Sequence, residues 1–256
     1  VSVTKYERFE KILDSLRASQ RATVKELADT LKTTEITIRR DLKELDKKGL
    51  VKRVYGGALV TDNDPLNFSI ERKMTRNIEA KRRIGKKAAE LIEDGDLIFL
   101  DPGTTCWEIV PYLATKKRLN IIINSSRLAT AFRNEQNHNI IYIGGEYRPF
   151  RMDIVGDLAG ATIEKLRGYK AFAGADGIDI ELGLSANDIT SASIARKMFQ
   201  NAREITFLGD SSKFDHPSLC KIADINVLDY IITDKPVSEK WEEAAKKHNI
   251  TILYAD

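Results

Sequence analysis

The 256-residue sequence predicts an α/β chain in two parts. Residues 1–59 read as short helices closed by a hairpin, residues 60–77 as a linker, and residues 78–256 as a larger, mostly parallel α/β domain. Three observations carry this. Helix caps and apolar residues at helical spacing fill the first fifty residues and run into a basic hairpin. From Asp94-Gly95 onward the pattern changes to seven short apolar runs separated by helical segments, the signature of a sheet covered on both faces. Charge is also uneven: residues 1–58 hold 14 Lys/Arg against 9 Asp/Glu, and the remainder holds 27 against 29.

A hydrophobic content of 42% with 31% charged residues describes an ordinary globular chain. No apolar run approaches the ~20 residues of a membrane span, and the N-terminus is helical and charged rather than signal-like. Cys106 and Cys220 lie far apart and give neither a disulfide framework nor metal-ligand spacing. The composition therefore points to the cytoplasm, with no metal and no cofactor. A basic head on a near-neutral body points to nucleic acid at one end only.

The elements of the head follow in order. Thr4-Lys5-Tyr6-Glu7 is a capping box, and behind it Phe9, Ile12, Leu13 and Leu16 make one helical face ending near Ala18. A second capping box, Thr23-Val24-Lys25-Glu26, opens a short helix with Val24, Leu27, Ala28 and Leu31 inward. After the Lys32-Thr33 turn, Thr34 caps a third helix, in which Ile38, Leu42 and Leu45 form an apolar stripe. Its other face carries Thr37, Arg39, Arg40 and Lys43. Lys47 and Lys48 close the helix before Gly49-Leu50, and Val51–Tyr55 runs into the Gly56-Gly57 turn of a hairpin.

Two short helices, a tight turn and a cationic second helix make a helix-turn-helix, and the hairpin makes it winged. A helix is about 10–12 Å across, and the major groove of B-DNA, about 12 Å wide, admits it. The N-terminal residues of such a helix, here Thr34, Glu35, Ile36 and Thr37, enter the groove first. Ile36 lies off the apolar stripe, free to meet a thymine methyl. Arg39, Arg40 and Lys43 suit base edges or phosphates. Lys48, Lys52, Arg53 and Tyr55 lie at the helix end and wing, where phosphates pass. The competing reading pairs Arg39 or Arg40 with Asp41 or Glu44 as a purely structural bridge.

TIRRDLKEL followed by GLVKRVYGGA, within Thr23–Ala58, resembles the DeoR family of bacterial transcriptional repressors. The resemblance implies operator binding, with Thr23–Leu42 corresponding to the helix-turn-helix.

Between Val60 and Asn77 no clean period appears, and Thr61–Pro65 is turn-rich. A helix from Ile78 to Ile92 follows, with Lys81, Arg82, Arg83, Lys86 and Lys87 on its outer face. The apolar runs are Leu97–Leu100, Ile121–Ile123, Ile140–Ile143, Ala171–Gly174, Ile205–Leu208, Tyr230–Thr233 and Ile250–Tyr254. Helices are expected at Cys106–Ala114, Ser126–Arg133, Ala159–Arg167, Ser191–Asn201 and Ser238–His248.

Ligands of open α/β sheets bind beyond the carboxyl ends of the strands. After five successive runs stand small polar or glycine turns: Asp101-Pro102-Gly103-Thr104-Thr105, Asn124-Ser125-Ser126, Gly144-Gly145-Glu146-Tyr147-Arg148, Gly174-Ala175-Asp176-Gly177 and Asp210-Ser211-Ser212-Lys213-Phe214. Hydroxyls and backbone amides at a helix start suit an anion such as phosphate, and Lys213 supplies a point charge. The candidate effector-binding residues are Asp101, Gly103, Thr104, Thr105, Asn124, Ser125, Gly145, Arg148, Asp176 and Lys213.

These turns occur in the order of the DeoR family's C-terminal sensor half. That similarity implies a sheet related to ribose-5-phosphate isomerase and coenzyme A transferases, and a phosphorylated sugar or similar metabolite as effector. Ile123 departs from it, since the family commonly has Thr before Asn-Ser. The rival function is a sugar-phosphate isomerase with a DNA-binding head. Asp176 resembles part of those enzymes' aspartate motif, but Ala173 stands where they carry another Asp, and only Asp188 remains as a candidate base. His138, His216 and His248 are scattered. Cys106 near a helix start could carry a lowered pKa, although a buried apolar thiol is the commoner outcome. No catalytic residue is assigned. The expectation is a metabolite-released repressor acting as a homo-oligomer, dimer or tetramer.

Overall fold

The computed structural model describes residues 5–19, 21–47, 51–60, 70–149 and 151–256. Thr4 of the first capping box, Lys48, the Gly49-Leu50 stop and the turn-rich Thr61–Pro65 stretch lie outside them. The chain divides into two compact units, residues 1–73 and 74–256.

The first unit contains α1 (Lys5–Ser19), β1 (Arg21–Thr23), α2 (Val24–Thr30), α3 (Glu35–Lys47), β2 (Val51–Val54) and β3 (Gly57–Val60). The reciprocal capping box at the start of α2 is present: Glu26 N donates to Thr23 Oγ1 and Thr23 N to Glu26 Oε2. Phe9, Ile12, Leu16, Leu27, Ile38, Leu42 and Leu45 pack into one small core. The segment after α1, assigned no element from sequence, is a strand. β1 pairs antiparallel with β3, which pairs with β2, so the wing is a three-stranded sheet. Glycine is required where β3 meets β1, since a Cβ on Gly57 would fall 2.2 Å from Ala22 O. The pairing of Arg39 or Arg40 with Asp41 or Glu44 is not what forms. Asp41 is buried and accepts from Arg8 of α1 (2.5 and 3.2 Å), and Glu44 accepts from Lys5.

Part of the segment expected to be a connector is helical, α4 (Ile70–Thr75). α5 (Ile78–Glu90) then leads into the body. Its supposed basic outer face is incomplete, because Lys81 is buried and donates to Arg76 O at 2.7 Å. Arg82 and Lys87 pair with Glu79 and Glu90 on the solvent side.

All seven apolar runs enter one parallel sheet: β4 (Leu97–Leu100), β5 (Asn120–Ile123), β6 (Asn139–Tyr142), β9 (Tyr169–Ala173), β12 (Ala202–Leu208), β14 (Tyr230–Thr233) and β15 (Thr251–Tyr254). Their order is β15-β14-β12-β9-β4-β5-β6. Alternate residues face opposite ways along each strand, and the body accordingly has two cores. Phe99, Ile122, Ala171 and Phe207 lie in one, with α9 (Gly156–Ile163), α10 (Ile189–Asn201) and α11 (Glu239–His248). Ile98, Leu100, Ile121, Ile123 and Phe172 lie in the other, with α5, α6 (Thr104–Trp107), α7 (Val110–Leu113) and α8 (Ser126–Ala131). The single helix expected over Cys106–Ala114 is two short ones, with Pro111 at the start of the second, where its missing N–H costs nothing.

Two antiparallel additions have no counterpart in the sequence reading. One is the hairpin of β7 (Glu146–Arg148) and β8 (Asp153–Val155). The other is a small sheet of β10 (Gly177–Asp179), β11 (Gly183–Ala186) and β13 (Cys220–Ala223). Among the described residues no helix is long and apolar enough to cross a membrane.

Candidate functional site

In the head, α3 buries Ile38, Leu42 and Leu45 and leaves Arg39, Arg40 and Lys43 exposed. Thr34 caps the helix, its Oγ1 accepting from Thr37 N (3.2 Å) and lying 2.9 Å from the Thr37 hydroxyl. Glu35 forms an exposed pair with Arg39 one turn on (3.1 Å). Ile36, between them, is 70% exposed. Lys52, Arg53 and Tyr55 project from the wing, with Tyr55 fully exposed. Arg53 N donates to Asp46 Oδ1 and ties wing to helix. Arg39 and Arg53 line one cleft of about 320 Å³ together with Tyr55 and Gly56, so helix and wing present their cations side by side. Lys48 alone of the proposed DNA-facing set lies outside the described residues.

In the body, the five turns follow β12, β9, β4, β5 and β6, five consecutive strands of a parallel sheet. All therefore lie along its carboxyl edge. The strand order reverses between β4 and β9, which makes a crevice there. Asp101 stands at that point. Its Oδ2 accepts from Gly103 N (3.0 Å) on its own turn and from Gly174 N (3.4 Å) on the turn after β9. Burial pushes its carboxyl up to about 6 in spite of those two donors, and the charge of Asp153 adds to the rise. Thr104 and Thr105 are buried beside it at the start of α6. Asp176 accepts from Asn187 N at 2.8 Å, and its carbonyl accepts from Lys213 Nζ at 3.4 Å. Asn124 is buried; Nδ2 donates to Ile154 O, and Oδ1 has no hydrogen-bond partner among the described residues.

Three residues named from sequence hold the fold. The Arg148 guanidinium donates to Asp153 (2.8 and 2.6 Å), Asp188 (2.9 Å) and Ser191 (2.8 Å), locking the β7–β8 hairpin to the start of α10. Gly145 admits no side chain, since a Cβ would fall 2.6 Å from Val155 O. Ser125 caps α8. Arg151 and Asp153, which the sequence reading missed, belong to the same network: Arg151 reaches Asp153 (3.4 Å) and Asp188 (3.2 Å), and Asp153 is buried. Their alternation of Arg and Asp is a weak local signal that acquires meaning only once the hairpin brings them together.

Asp188 is engaged on every side. Burial raises its pKa, but hydrogen bonds from the Ser191 amide and hydroxyl, with the charges of Arg151 and Arg148, hold it below the usual carboxylate range. Cys106 is not an activated thiol, because burial and the nearby Asp101 push its pKa up. No cluster of three His, Cys, Asp or Glu able to hold a metal occurs among the described residues.

Residues 8–64 match the model of the DeoR-like helix-turn-helix domain and residues 76–235 that of the DeoR C terminal sensor domain. The chain is 34% identical to the lactose phosphotransferase system repressor of Lactococcus lactis subsp. lactis, over 99% of this chain and all of the relative. It is 32% identical to the putative aga operon transcriptional repressor of Escherichia coli O157:H7, over 96% and 93%. Among solved structures it is similar to ribose 5-phosphate isomerase A of Methanocaldococcus jannaschii, at a TM-score of 0.39 and 18% identity over 54% of this chain and 55% of that one. A DNA-reading head and a sensor body are thus matched in sequence order, and relatives align over nearly the whole chain: it belongs to the DeoR family of transcriptional regulators.

Proposed function

We propose that this chain represses a carbohydrate-metabolism operon and is released from its operator by a phosphorylated sugar. α3 lies in the major groove, with Arg39, Arg40 and Lys43 toward base edges and phosphates, while Lys52, Arg53 and Tyr55 of the wing follow the backbone. The effector sits at the carboxyl edge of the sheet. Backbone amides and hydroxyls of Thr104 and Thr105, with the Lys213 ammonium, hold its phosphate, and Asp101, oriented by the Gly103 amide, accepts from its hydroxyls. The observation that carries this reading is the alignment of five polar turns on consecutive strand ends around the β4–β9 reversal. The names of the relatives, repressors of lactose and aga systems, support carbohydrate control.

Catalysis is not part of the proposal. Ala173 replaces one carboxylate of the isomerase motif, and Asp188 is spent on Arg148, Arg151 and Ser191. One small head presents a single recognition helix, so selective binding calls for paired heads on paired half-sites, with the body oligomerising to set their spacing.

Linkage supplies the test. If the effector weakens operator binding by some factor, the operator weakens effector binding by the same factor. An operator duplex selected from a randomised pool would be titrated alone and with glycerol 3-phosphate, ribose 5-phosphate, fructose 1-phosphate or glucose 6-phosphate. At least one should raise the melting temperature and lower operator affinity, with reciprocal loss. Four compounds that neither bind nor change operator affinity would refute the effector assignment.

A further inference from the structure

The body begins at Met74, and the residue that precedes α5 is fastened by its side chain to the strand-end site. Asn77, the residue before α5, has a left-handed backbone (φ 52°, ψ 37°), and its side chain makes no cap for that helix. Instead Nδ2 donates to Asp210 Oδ1 at 2.9 Å, across 133 residues of chain. Lys81, buried one turn into α5, donates to Arg76 O and fixes the preceding residue as well.

Asp210 is 2% exposed and sits where β12 ends. The same Oδ1 accepts from Ser212 N (3.1 Å) and Ser212 Oγ (2.6 Å), so it also organises the tight turn that carries Lys213. Lys213 N closes that turn onto Asp210 O, and Lys213 Nζ reaches Asp176 O on the turn after β9. A continuous hydrogen-bonded path therefore runs from the β9 corner through Lys213 and Asp210 to Asn77. Covalent chain then continues through α4, which ends at Thr75, toward residues 1–73.

We propose that the Asn77–Asp210 hydrogen bond is the switch contact that transmits occupancy of the strand-end site to the segment leading to the DNA-binding unit. This rests on the reading of Lys213 as an effector contact. An anion that draws the Lys213 ammonium from the Asp176 carbonyl reorients the 211–213 turn. Asp210 Oδ1 is shared between that turn and Asn77, so the turn cannot shift without straining or releasing the Asn77 amide. Two discrete arrangements, bonded and released, are what a population shift needs.

Asn77→Gly is the decisive variant. It keeps the left-handed backbone free of strain and removes only the amide. Asn77→Asp also tolerates that backbone but sets a like charge against Asp210. Operator affinity is measured by fluorescence anisotropy with and without each of the four sugar phosphates named above, on full-length wild type and both variants. Binding of the same compounds is followed by calorimetry, and unchanged melting profiles report intact folding. Wild type should show a coupling factor in the ordinary range of about 5–150. Both variants should bind the compound within about threefold of wild type while the factor falls to near 1. Coupling that survives in Asn77→Gly overturns the switch and leaves the effector reading standing. A wild type whose operator affinity responds to none of the four overturns both.

Discussion

In the head, the residues proposed to meet DNA all lie between Thr34 and Tyr55, on one helix and the hairpin after it. In the body, the proposed effector site draws on five strand ends spread from Asp101 to Lys213. The head displays its working groups in water: Arg40, Lys43, Lys52 and Arg53 are exposed, and burial takes place on the other side of the helix. The body encloses its own. Thr104, Thr105 and Asn124 are buried, Asp101, Asp176 and Lys213 are half-buried, and the carboxylates beside them are bonded to amides, hydroxyls or guanidinium groups of the fold. A surface that reads a large polyanion needs cations on a stiff rod; a site that discriminates a small anion needs dry, prearranged donors. The head can therefore be altered residue by residue at little structural cost, whereas the body's site and its stability are entangled.

The largest effect should come from the one place where the head breaks its own pattern. Asp41 is buried and paired with Arg8, joining α3 to α1. Asp41→Ala leaves the guanidinium without its partner and should cost about 3 kcal/mol, a large share of what so small a core supplies. Hydrogen exchange should show α1 and α3 losing protection while β4 and β9 keep theirs. Equal loss in both units would erase the distinction between them.

An effect of comparable size and opposite sign is expected in the body. The Asp101 carboxyl titrates at about 6, above its ordinary 3.8. The folded state thus holds this proton more tightly than the unfolded chain. That contribution is fully present below pH 4 and is lost as pH rises to about 6. Asp101→Asn should therefore stabilise the body by at most about 3 kcal/mol at pH 8, with the gain vanishing near pH 4. Urea unfolding at the two pH values measures it. A variant destabilised at pH 8 would mean that the carboxylate is held ionised by its two backbone donors.

Next comes a crossed pair. Arg40→Ala should weaken operator binding about tenfold with effector binding unchanged, and Thr105→Ala, which removes a proposed phosphate contact away from the Lys213–Asp210–Asn77 path, should do the reverse. Anisotropy and calorimetry on both variants decide it, and a joint loss in either variant would show that the two surfaces are not separable.

The contrast also explains what could be read from the sequence. Ile38, Leu42 and Leu45 recur at helical spacing, and Thr23 and Glu26 are three residues apart, so the head's helices are written locally. The seven β runs are equally plain, because strands buried on both faces are continuously apolar. β1 escaped notice: Arg21-Ala22-Thr23 is a strand only because β3, thirty-odd residues on, lies beside it. The β7–β8 hairpin escaped for the same reason, and with it the roles of Arg148, Arg151 and Asp153. Read one by one, Gly145 and Arg148 show no sign of the structural contacts they make. Their partners, Val155 O and the Asp153 and Asp188 carboxylates, come from other turns of the chain. Lys81 failed likewise, since a lysine at an outward-reading position is buried by a contact five residues back.

The smallest predicted effect is the most specific to the head. Around the first turn of α3 the polar groups are matched among themselves: Thr34 with Thr37, Glu35 with Arg39. Ile36 is the large apolar side chain left in water there, at 70% exposure. In a groove lined with hydrogen-bonding edges, the apolar group available to it is the thymine C5-methyl. Replacing thymine by deoxyuridine in the selected operator deletes that methyl and leaves every hydrogen bond in place. Burying one such group is worth about 0.8 kcal/mol, so wild type should lose about fourfold in affinity at one position of each half-site. Ile36→Ala should bind the two duplexes equally, with its salt dependence unchanged because no charge has been moved. A wild-type protein indifferent to deoxyuridine at every position would leave Ile36 outside the groove, and with it the docking of α3 by its first turn.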